Sequence, residues 1–540
     1  MTGSEVARPV NEPVHNYTPG SAERAAVDLE LERQRAAPRE LPLVIDGAAV
    51  TSGTALYFSA PHDHALRLGQ FSLAEPDHVT SAIDAALARK ASWAERSIAE
   101  RGAVFRRAAA LLSGPWRARL LAATMLNQSK TVHQAEIDAA CELIDFFRFN
   151  AAFAEQLAEQ PLISTASEHN QFELRPLDGF VYAVSPFNFT AIAGNLPTAP
   201  ALLGNTVVWK PSPLAALSAH FVLELLAEAG LPPGVINLVQ GDAASISRQI
   251  LDHPDFCGLH FTGSSAVFQG LWSAVGERIT RYRSYPRLVG ETGGKDFIIA
   301  HPSADVTALA VAIVRGGYEY QGQKCSAASR VYLPRSLAPA VEAAVRGMLN
   351  EIHVGDPCDS RNFLGAVIGR AAYTRITGYL DQARLDPQCR VISGGGADDS
   401  VGFFVEPTLI EVSDPMHALM REEIFGPVVS YFVYDDDRFE QILTVCDEST
   451  PYALTGAIFA RDPLAIELGR ARLTMAAGNF YINDKPTGAV VGQQPFGGAR
   501  LSGTNDKAGS PWNLMRWASP RVIKENRNPP HDFKYPFLRS

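Results

Sequence analysis

Between Asp77 and Gln128 the apolar residues recur at helical spacing. Val79-Thr80-Ser81-Ala82-Ile83-Asp84-Ala85-Ala86-Leu87 and the run 102–112 place them at i, i+3, i+4 and i+7, one face of a helix that must be covered. Residues 134–155 predict a further helix. Its stretch Ala139-Ala140-Cys141-Glu142-Leu143-Ile144-Asp145-Phe146-Phe147 is apolar enough to belong in a core, which by pattern alone leaves Glu142 on the wet side. Then the period shortens. The runs 180–184, 206–209, 235–239 and 259–262 are short, apolar and β-type, separated by helical stretches such as 215–230. Strands alternating with helices predict a doubly wound parallel sheet. A second block of this kind begins near Gly294, with strands at 297–300, 330–332, 428–432 and 456–459, and ends near Gly498. Val44-Ile45-Asp46-Gly47 predicts a small hairpin, and Pro520-Arg521-Val522-Ile523-Lys524 a strand for a neighbour's sheet. Residues 1–40 are polar and charged, predict a short helix at 25–35, and read as an arm on the surface or on a partner subunit. The uncharged stretch Gly179 to Trp209 is long enough to span a bilayer, but Pro186, Pro197, Pro200, Asn188, Asn195 and Asn205 punctuate it as core strands and turns.

A chain of 540 residues can bury a large core and predicts more than one domain. At 46% hydrophobic and 20% charged it has an ordinary globular composition. The net charge of −10 argues against a nucleic-acid partner, and means that anionic cofactor phosphates need a local site. The six cysteines (141, 257, 325, 358, 389, 446) lack paired spacing, which argues against a zinc site or disulfide framework and suits a reducing compartment. The N-terminus has no apolar run and carries Glu5, Glu12 and Glu23, so the expectation is a cytoplasmic protein.

Ligands of parallel sheets bind at the carboxyl ends of the strands. Asn188, Lys210-Pro211-Ser212, Gly241 and Gly263-Ser264 all fall there. No G-x-G-x-x-G follows the first strand, yet Phe261-Thr262-Gly263-Ser264-Ser265 runs from strand into helix and can offer helix N–H groups to a pyrophosphate. One thiol stands apart. Cys325, in Gln321-Gly322-Gln323-Lys324-Cys325-Ser326-Ala327, follows a glycine-containing, unstructured approach (Gly316, Gly317, Gly322). The residues Ser326-Ala327-Ala328-Ser329 predict a helix opening whose dipole favours a thiolate. The bland alternative is a small buried hydrophobe. Upstream, Val289-Gly290-Glu291-Thr292-Gly293-Gly294-Lys295 holds a carboxylate in a glycine-flanked turn; by themselves Glu291 reads as a solvated loop charge and Asn188 as a turn residue.

Taken together and in order, Ser185-Pro186-Phe187-Asn188-Phe189, Val207-Val208-Trp209-Lys210-Pro211-Ser212, the Glu291 turn, the Cys325 heptad and Glu422-Glu423-Ile424-Phe425-Gly426-Pro427 resemble the NAD(P)-dependent aldehyde dehydrogenase superfamily, from about residue 40 to the C-terminus. The resemblance implies an α/β fold of two doubly wound Rossmann-type domains plus a small β oligomerisation arm. Its parts would be an N-terminal arm at 1–40, an NAD-binding domain at 41–160 and 178–293, a catalytic domain at 294–507, and arm segments at 161–177 and 508–540. It further implies Cys325 as nucleophile, the Asn188 amide and Cys325 N–H as oxyanion donors, and Glu291 as general base. Lys210 and Ser212 would meet the adenine ribose, Gly263 and Ser264 the pyrophosphate, and Glu423 the nicotinamide ribose, with Phe425 and Phe187 on the cofactor side. No extra arginine accompanies Lys210 to take a 2′-phosphate, so NAD is expected over NADP. No metal is expected.

The loop Lys485 to Arg500 offers backbone N–H groups at Gly488 and Ala489, a cradle for an anion. With the Ser326 hydroxyl these could hold a substrate carboxylate, and Phe189 and Phe496 could flank a short chain. This combination, with Lys130-Thr131-Val132, Ala135-Glu136-Ile137-Asp138, the run 142–150 and Ser502-Gly503-Thr504-Asn505-Asp506-Lys507, resembles the pyrroline-5-carboxylate (glutamate γ-semialdehyde) dehydrogenase branch. That branch implies that Glu142 faces the substrate's amino group. Thr292 departs from the leucine many superfamily members carry there. The implied activity is NAD-dependent oxidation of L-glutamate γ-semialdehyde through a cysteine thiohemiacetal and thioester, the second step of proline breakdown. A homodimer or dimer-based oligomer is implied, with a separate proline dehydrogenase as transient partner. Two rivals stand beside it: a dehydrogenase of another small acidic semialdehyde such as succinate semialdehyde, and a non-catalytic protein keeping the fold.

Overall fold

The computed structural model describes residues 9–159 and 161–538, so residues 1–8 of the expected arm lie outside the described residues. Five strands, Phe180–Val184, Val207–Lys210, Ile236–Leu238, Phe256–Thr262 and Arg287–Glu291, run parallel in a seven-stranded sheet. The hairpin Leu43–Ile45/Ala48–Val50 closes one edge, its turn made by Asp46 and Gly47 at φ of 48° and 75°, the left-handed pair that matches strand twist. Alternation along the strands assigns the faces. Phe180, Tyr182 and Val208 pack with Val79, Ile83 and Ala86 of helix Pro76–Ala94, whereas Val181, Ala183, Val207 and Trp209 pack with helix Thr190–Leu202. A sheet covered on both faces needs strands that are apolar throughout, which is why these runs look continuous in sequence.

The second sheet also has seven strands. Asp296–Ala300, Ala328–Pro334, Thr408–Val412, Val428–Tyr434, Thr455–Phe459 and Asn479–Ile482 are parallel, and Cys389–Ser393 is an antiparallel edge. Phe297, Ile299 and Tyr332 face one apolar core; Ile298, Ala300, Val331 and Leu333 face another. Outside both sheets, Glu168–Pro176 and Ala518–Asn526 pair along their whole length as a largely exposed antiparallel ribbon. Among the described residues no helix is long and apolar enough to cross a membrane.

Three expectations are corrected. The helix read across 134–155 is three pieces: Val132–Ala135, a π-helical segment Glu136–Glu142, and Leu143–Ala158. Gly316 and Gly317 are not a loop but the end of helix Val306–Tyr318, where a side chain at 317 would strike Val429 of the sheet. No helix opens after Cys325. The chain turns and enters strand Ala328–Pro334, because the alternating run beyond the cysteine pairs with Asp296–Ala300. Helix Ala22–Ala36 of the expected arm packs on helix Arg117–Gln128, the surface alternative, and Ala518–Asn526, which holds the run 520–524, pairs with Glu168–Pro176.

Candidate active site

Cys325 owes its position to a backbone reversal. Tyr320, Gln321 and Gly322 all have positive φ (53°, 55° and 65°), which turns the chain sharply at the end of helix Val306–Tyr318. Two non-glycine residues there are costly and must be over-determined by their surroundings. The Gln321 amide donates to the carbonyls of Ser129 (3.1 Å) and Ala366 (2.7 Å), and the buried Tyr320 ring lies under the Lys130 ammonium at 4.4 Å. Cys325 is thus partly exposed while the residues on either side are buried.

The other motifs meet at this turn. The Asn188 side chain, 4% exposed, donates from Nδ2 to the carbonyl of Gln323 at 3.1 Å. A Cβ on Gly294 would overlap the Cys325 carbonyl, one on Gly322 the Gly426 carbonyl, and one on Gly293 the Glu423 carboxylate. Glycine is required at these three points because backbone must pass against backbone or carboxylate. The Glu291, Cys325 and Glu423 segments are therefore one packed unit. Glu291 ends strand Arg287–Glu291 and accepts from the Gly498 N–H at 3.3 Å. Glu423 accepts from the Gly294 N–H at 3.0 Å. Thr292, the departure noted above, donates to the Leu501 carbonyl at 2.6 Å, tying the turn to the loop that covers Glu291.

With no helix dipole, electrostatics holds the cysteine in its thiol form. Burial pushes the Cys325 thiol well above its ordinary range, and the Asp296, Glu291 and Glu423 carboxylates raise it further, offset by the Ser326 N–H. Burial likewise raises Glu291 well above the usual carboxylate range, although the Gly498 N–H and Lys507 pull it down. Asp296 is pushed up to about 8 and Lys295 down to about 7, both mainly by burial. Burial thus biases both the Cys325 thiol and the Glu291 carboxyl toward their neutral forms.

On one flank the Ser326 hydroxyl bonds that of Thr487 at 2.8 Å, beside Gly488 (φ 92°) and Ala489, so the expected anion cradle and Cys325 are neighbours. Glu142 lies at the end of the π-helical segment. Its carboxyl is pushed up to about 8, first by burial and then by Asp138, while Lys130 and Lys324 pull it down. Lys324 directly precedes Cys325, so Glu142 faces the Cys325 turn and not the wet side that periodicity assigned. A seven-residue π segment shifts register relative to an α-helix, which is why counting residues failed. The Phe189 ring lies under the Lys130 ammonium at 4.3 Å, and Phe496 bridges Ala508 at the far end of the loop.

Three residues here were missed as site residues. Lys130 and Asp138 form a buried ion pair at 2.7 Å, and Asp138 also accepts from the N–H groups of Thr190 and Ala191 at 2.9 and 2.8 Å, fixing the helix just after Asn188. Thr487 is the third. Only the Lys-x₇-Asp spacing hinted at the pair, and it is uninformative without the π segment.

On the opposite flank a cleft of about 500 Å3 lies between helices Ala243–Asp252 and Ser265–Glu277, with Val184 and Lys210 at strand ends on its floor. Burial lowers the Lys210 ammonium, with Asp242 as its nearest counter-charge. Ser264 Oγ accepts from the Val267 N–H at 3.3 Å, capping helix Ser265–Glu277, and Ser212 Oγ accepts from the Leu214 N–H at 3.3 Å, capping the short turn that follows it. Phe187 and Phe425 meet edge to face at 5.9 Å. The cleft fits an adenosine in size, in its buried cation and in the helix N-terminus at its mouth. Tertiary packing also brings in Arg248 and Arg278, which the motif reading overlooked; Arg278 is paired with Asp252 at 2.6 Å. Two histidine–cysteine–aspartate groups among the described residues, His62/Asp356/Cys358 and Asp386/Cys389/His417, share no residue with this site.

Comparison with known proteins agrees with this geometry. The model of the aldehyde dehydrogenase family matches residues 51–523. The chain is 48% identical over 531 residues to the delta-1-pyrroline-5-carboxylate dehydrogenase, mitochondrial, of Bos taurus, covering 98% of this chain and 94% of that one. The crystal structure of the Mycobacterium tuberculosis delta-pyrroline-5-carboxylate dehydrogenase bound with NAD superposes with a TM-score of 0.96 at 51% identity, over 99% of both chains. Proline utilization A of Bdellovibrio bacteriovorus matches with a TM-score of 0.92 at 28% identity, over 97% of this chain and 54% of that one. The mitochondrial name of the Bos taurus relative overturns the cytoplasmic expectation. Unpaired cysteines and an acidic balance mark a reducing interior but do not separate one such compartment from another. By the family match and by these identities, the chain belongs to the aldehyde dehydrogenase family.

Proposed function

We propose that this chain oxidises L-glutamate γ-semialdehyde, the open form of 1-pyrroline-5-carboxylate, to L-glutamate with NAD as acceptor, in proline degradation. The observation that carries this reading is the packing of Glu291, Cys325, Glu423 and Asn188 into one unit, flanked by the Ser326–Thr487 cradle and Glu142. The names of the relatives support the substrate, and the NAD-bound Mycobacterium tuberculosis neighbour supports the cofactor.

Cys325 adds through sulfur to the aldehyde carbon, its thiol proton being released to bulk water. The oxyanion that forms takes the Asn188 amide in place of the Gln323 carbonyl, together with the Cys325 N–H; one such donor is worth about 3–4 kcal/mol of barrier. When bound, NAD supplies the acceptor for the hydrogen and electron pair leaving the tetrahedral carbon. Glu291 then takes a proton from the water that cleaves the thioester, and the thiol leaves reprotonated. Lys210 and Ser212 hold the adenine ribose, Gly263 and Ser264 the pyrophosphate, and Glu423 the nicotinamide ribose, with Phe187 and Phe425 beside the ring. Ser326, Gly488 and Ala489 receive the substrate carboxylate, Glu142 the ammonium, and Phe189 and Phe496 the chain between. No metal takes part. Residues 41–160 and 178–293 act as cofactor domain and 294–507 as catalytic domain, with 1–40 as N-terminal arm. The segments 161–177 and 508–540 carry the exposed ribbon through which a homodimer or dimer-based oligomer forms. A proline dehydrogenase supplies the substrate; the match to proline utilization A motivates that partner.

Initial rates on glutamate γ-semialdehyde, succinate semialdehyde and pentanal, each with NAD and NADP, test the reading. The first aldehyde with NAD should be fastest. A preference for succinate semialdehyde would end the substrate claim, and no aldehyde-dependent NADH at all would favour the non-catalytic rival.

Glu142 gives a pH signature. Its carboxyl, raised to about 8, is mostly neutral at pH 7 and charged above that value. The KM for the amino-bearing substrate, taken relative to pentanal, should fall by about fivefold to tenfold between roughly pH 7 and 8.5. Glu142→Gln should flatten that slope. An unchanged slope would remove Glu142 from ammonium recognition.

A further inference from the structure

The N-terminal arm does more than cover surface. Asn11 donates both amide hydrogens, to Asp145 Oδ2 and to the Val491 carbonyl, each at 2.8 Å, and its own oxygen accepts from Gln493 Nε2 at 3.0 Å. The Glu12 N–H donates to Asp145 Oδ1 at 2.8 Å, and the Glu12 carboxylate pairs with Arg117 at 2.6 Å and Arg148 at 2.8 Å. Farther along, the His15 N–H and the Tyr17 hydroxyl reach the two oxygens of Glu136 at 2.8 and 2.6 Å. Glu136 is fully buried and also paired with Arg117.

These contacts are not spread at random. Glu136 begins the π-helical segment that Glu142 ends, and Asp145 is in the first turn of the helix that follows. Val491 and Gln493 belong to the loop bearing Gly488 and Ala489. That loop has little secondary structure of its own; Val491 is buried, and Gly492 is pressed against the Phe149 ring so closely that a Cβ would collide. One short stretch of extended chain therefore bonds both the segment carrying Glu142 and the loop carrying the anion cradle.

We infer that residues 11–17 are a positioning strap that fixes the spacing between the two ends of the substrate site, holding the 488–493 loop against the Glu136–Asp145 segment. The inference rests on the reading of Gly488, Ala489 and Glu142 as substrate contacts. None of the strap residues touches the reacting atoms. They act through the residues that do, and so bear on recognition of a substrate with charges at both ends, not on the chemistry at sulfur.

The test is Asn11→Ala in the full chain, assayed on glutamate γ-semialdehyde and on pentanal, with thermal unfolding in parallel. Losing the bonds to Val491 and Asp145 should raise the KM for the semialdehyde about tenfold, with kcat and both pentanal constants within about twofold. Gln493→Ala, which cuts only the loop end, should raise the same KM about threefold and decides the matter if the first variant does not fold. Equal changes on both substrates, or a lower melting temperature with unaltered constants, would make the arm a plain anchor and overturn the strap. A wild type that does not favour the semialdehyde over pentanal overturns the substrate reading, and the strap with it. A wild type that does, with indifferent variants, overturns the strap alone.

Discussion

Cys325→Ala should lower kcat with glutamate γ-semialdehyde by about 10⁴-fold or more while NAD binding, followed by quenching of tryptophan fluorescence, stays intact. Without the sulfur there is no tetrahedral adduct from which hydrogen can leave, and orientation alone supplies only the residual rate. Binding should survive because the cleft beside Lys210 draws on helices Ala243–Asp252 and Ser265–Glu277, not on the cysteine turn. The fold should survive too. Alanine is smaller than cysteine, and the partly exposed position leaves little cavity behind. Turnover that persisted within an order of magnitude would remove Cys325 from its role, and with it the account of Asn188 as an oxyanion donor.

Glu291→Gln should separate the two halves of the reaction. The amide keeps an oxygen for the Gly498 N–H but accepts no proton. The first turnover should release about one NADH per subunit, after which the steady state should fall roughly 10²–10⁴-fold as thioester accumulates. Stopped-flow absorbance and intact mass of the trapped adduct read the two phases. Loss of the first-turnover burst together with the steady state would assign Glu291 to thiol deprotonation and not to hydrolysis. Stability should move the other way. The carboxyl is raised above its ordinary 4.5 chiefly by burial, so protonation favours the folded state. Its contribution is fullest below about pH 4.5 and is lost as pH rises through the folded value. The glutamine variant, which carries no charge to bury, should therefore gain melting temperature over the wild type as pH rises.

Much of this protein is legible before any coordinates. The periods of Val79–Leu87 and 102–112 return as the helices Pro76–Ala94 and Ile98–Ser113, and the short apolar runs return as the strands of both sheets. The motifs carrying Asn188, Glu291, Cys325 and Glu423 are each a few consecutive residues, and their order along the chain is enough to mark a family. Such features are local: a helix or buried strand is written in the residues that make it, because burial of one face or of both leaves a period that can be counted.

What the chain alone does not determine is which way a side chain points when a neighbour sets the register. The strand Ala328–Pro334, paired with Asp296–Ala300, replaces the helix expected after Cys325, and leaves the thiol to be governed by buried carboxylates instead of a dipole. The π segment turns Glu142 inward where a regular helix would have left it in water. The arm reaches Glu136, Asp145 and Val491 across more than a hundred residues of intervening chain. In each case the deciding contact joins residues far apart in sequence and is made only once two sheets and their helices have packed. The sequence determined the elements, the family and the reactive groups; the tertiary structure decided their orientation and charge state, because those depend on burial and on distant partners that no local period encodes.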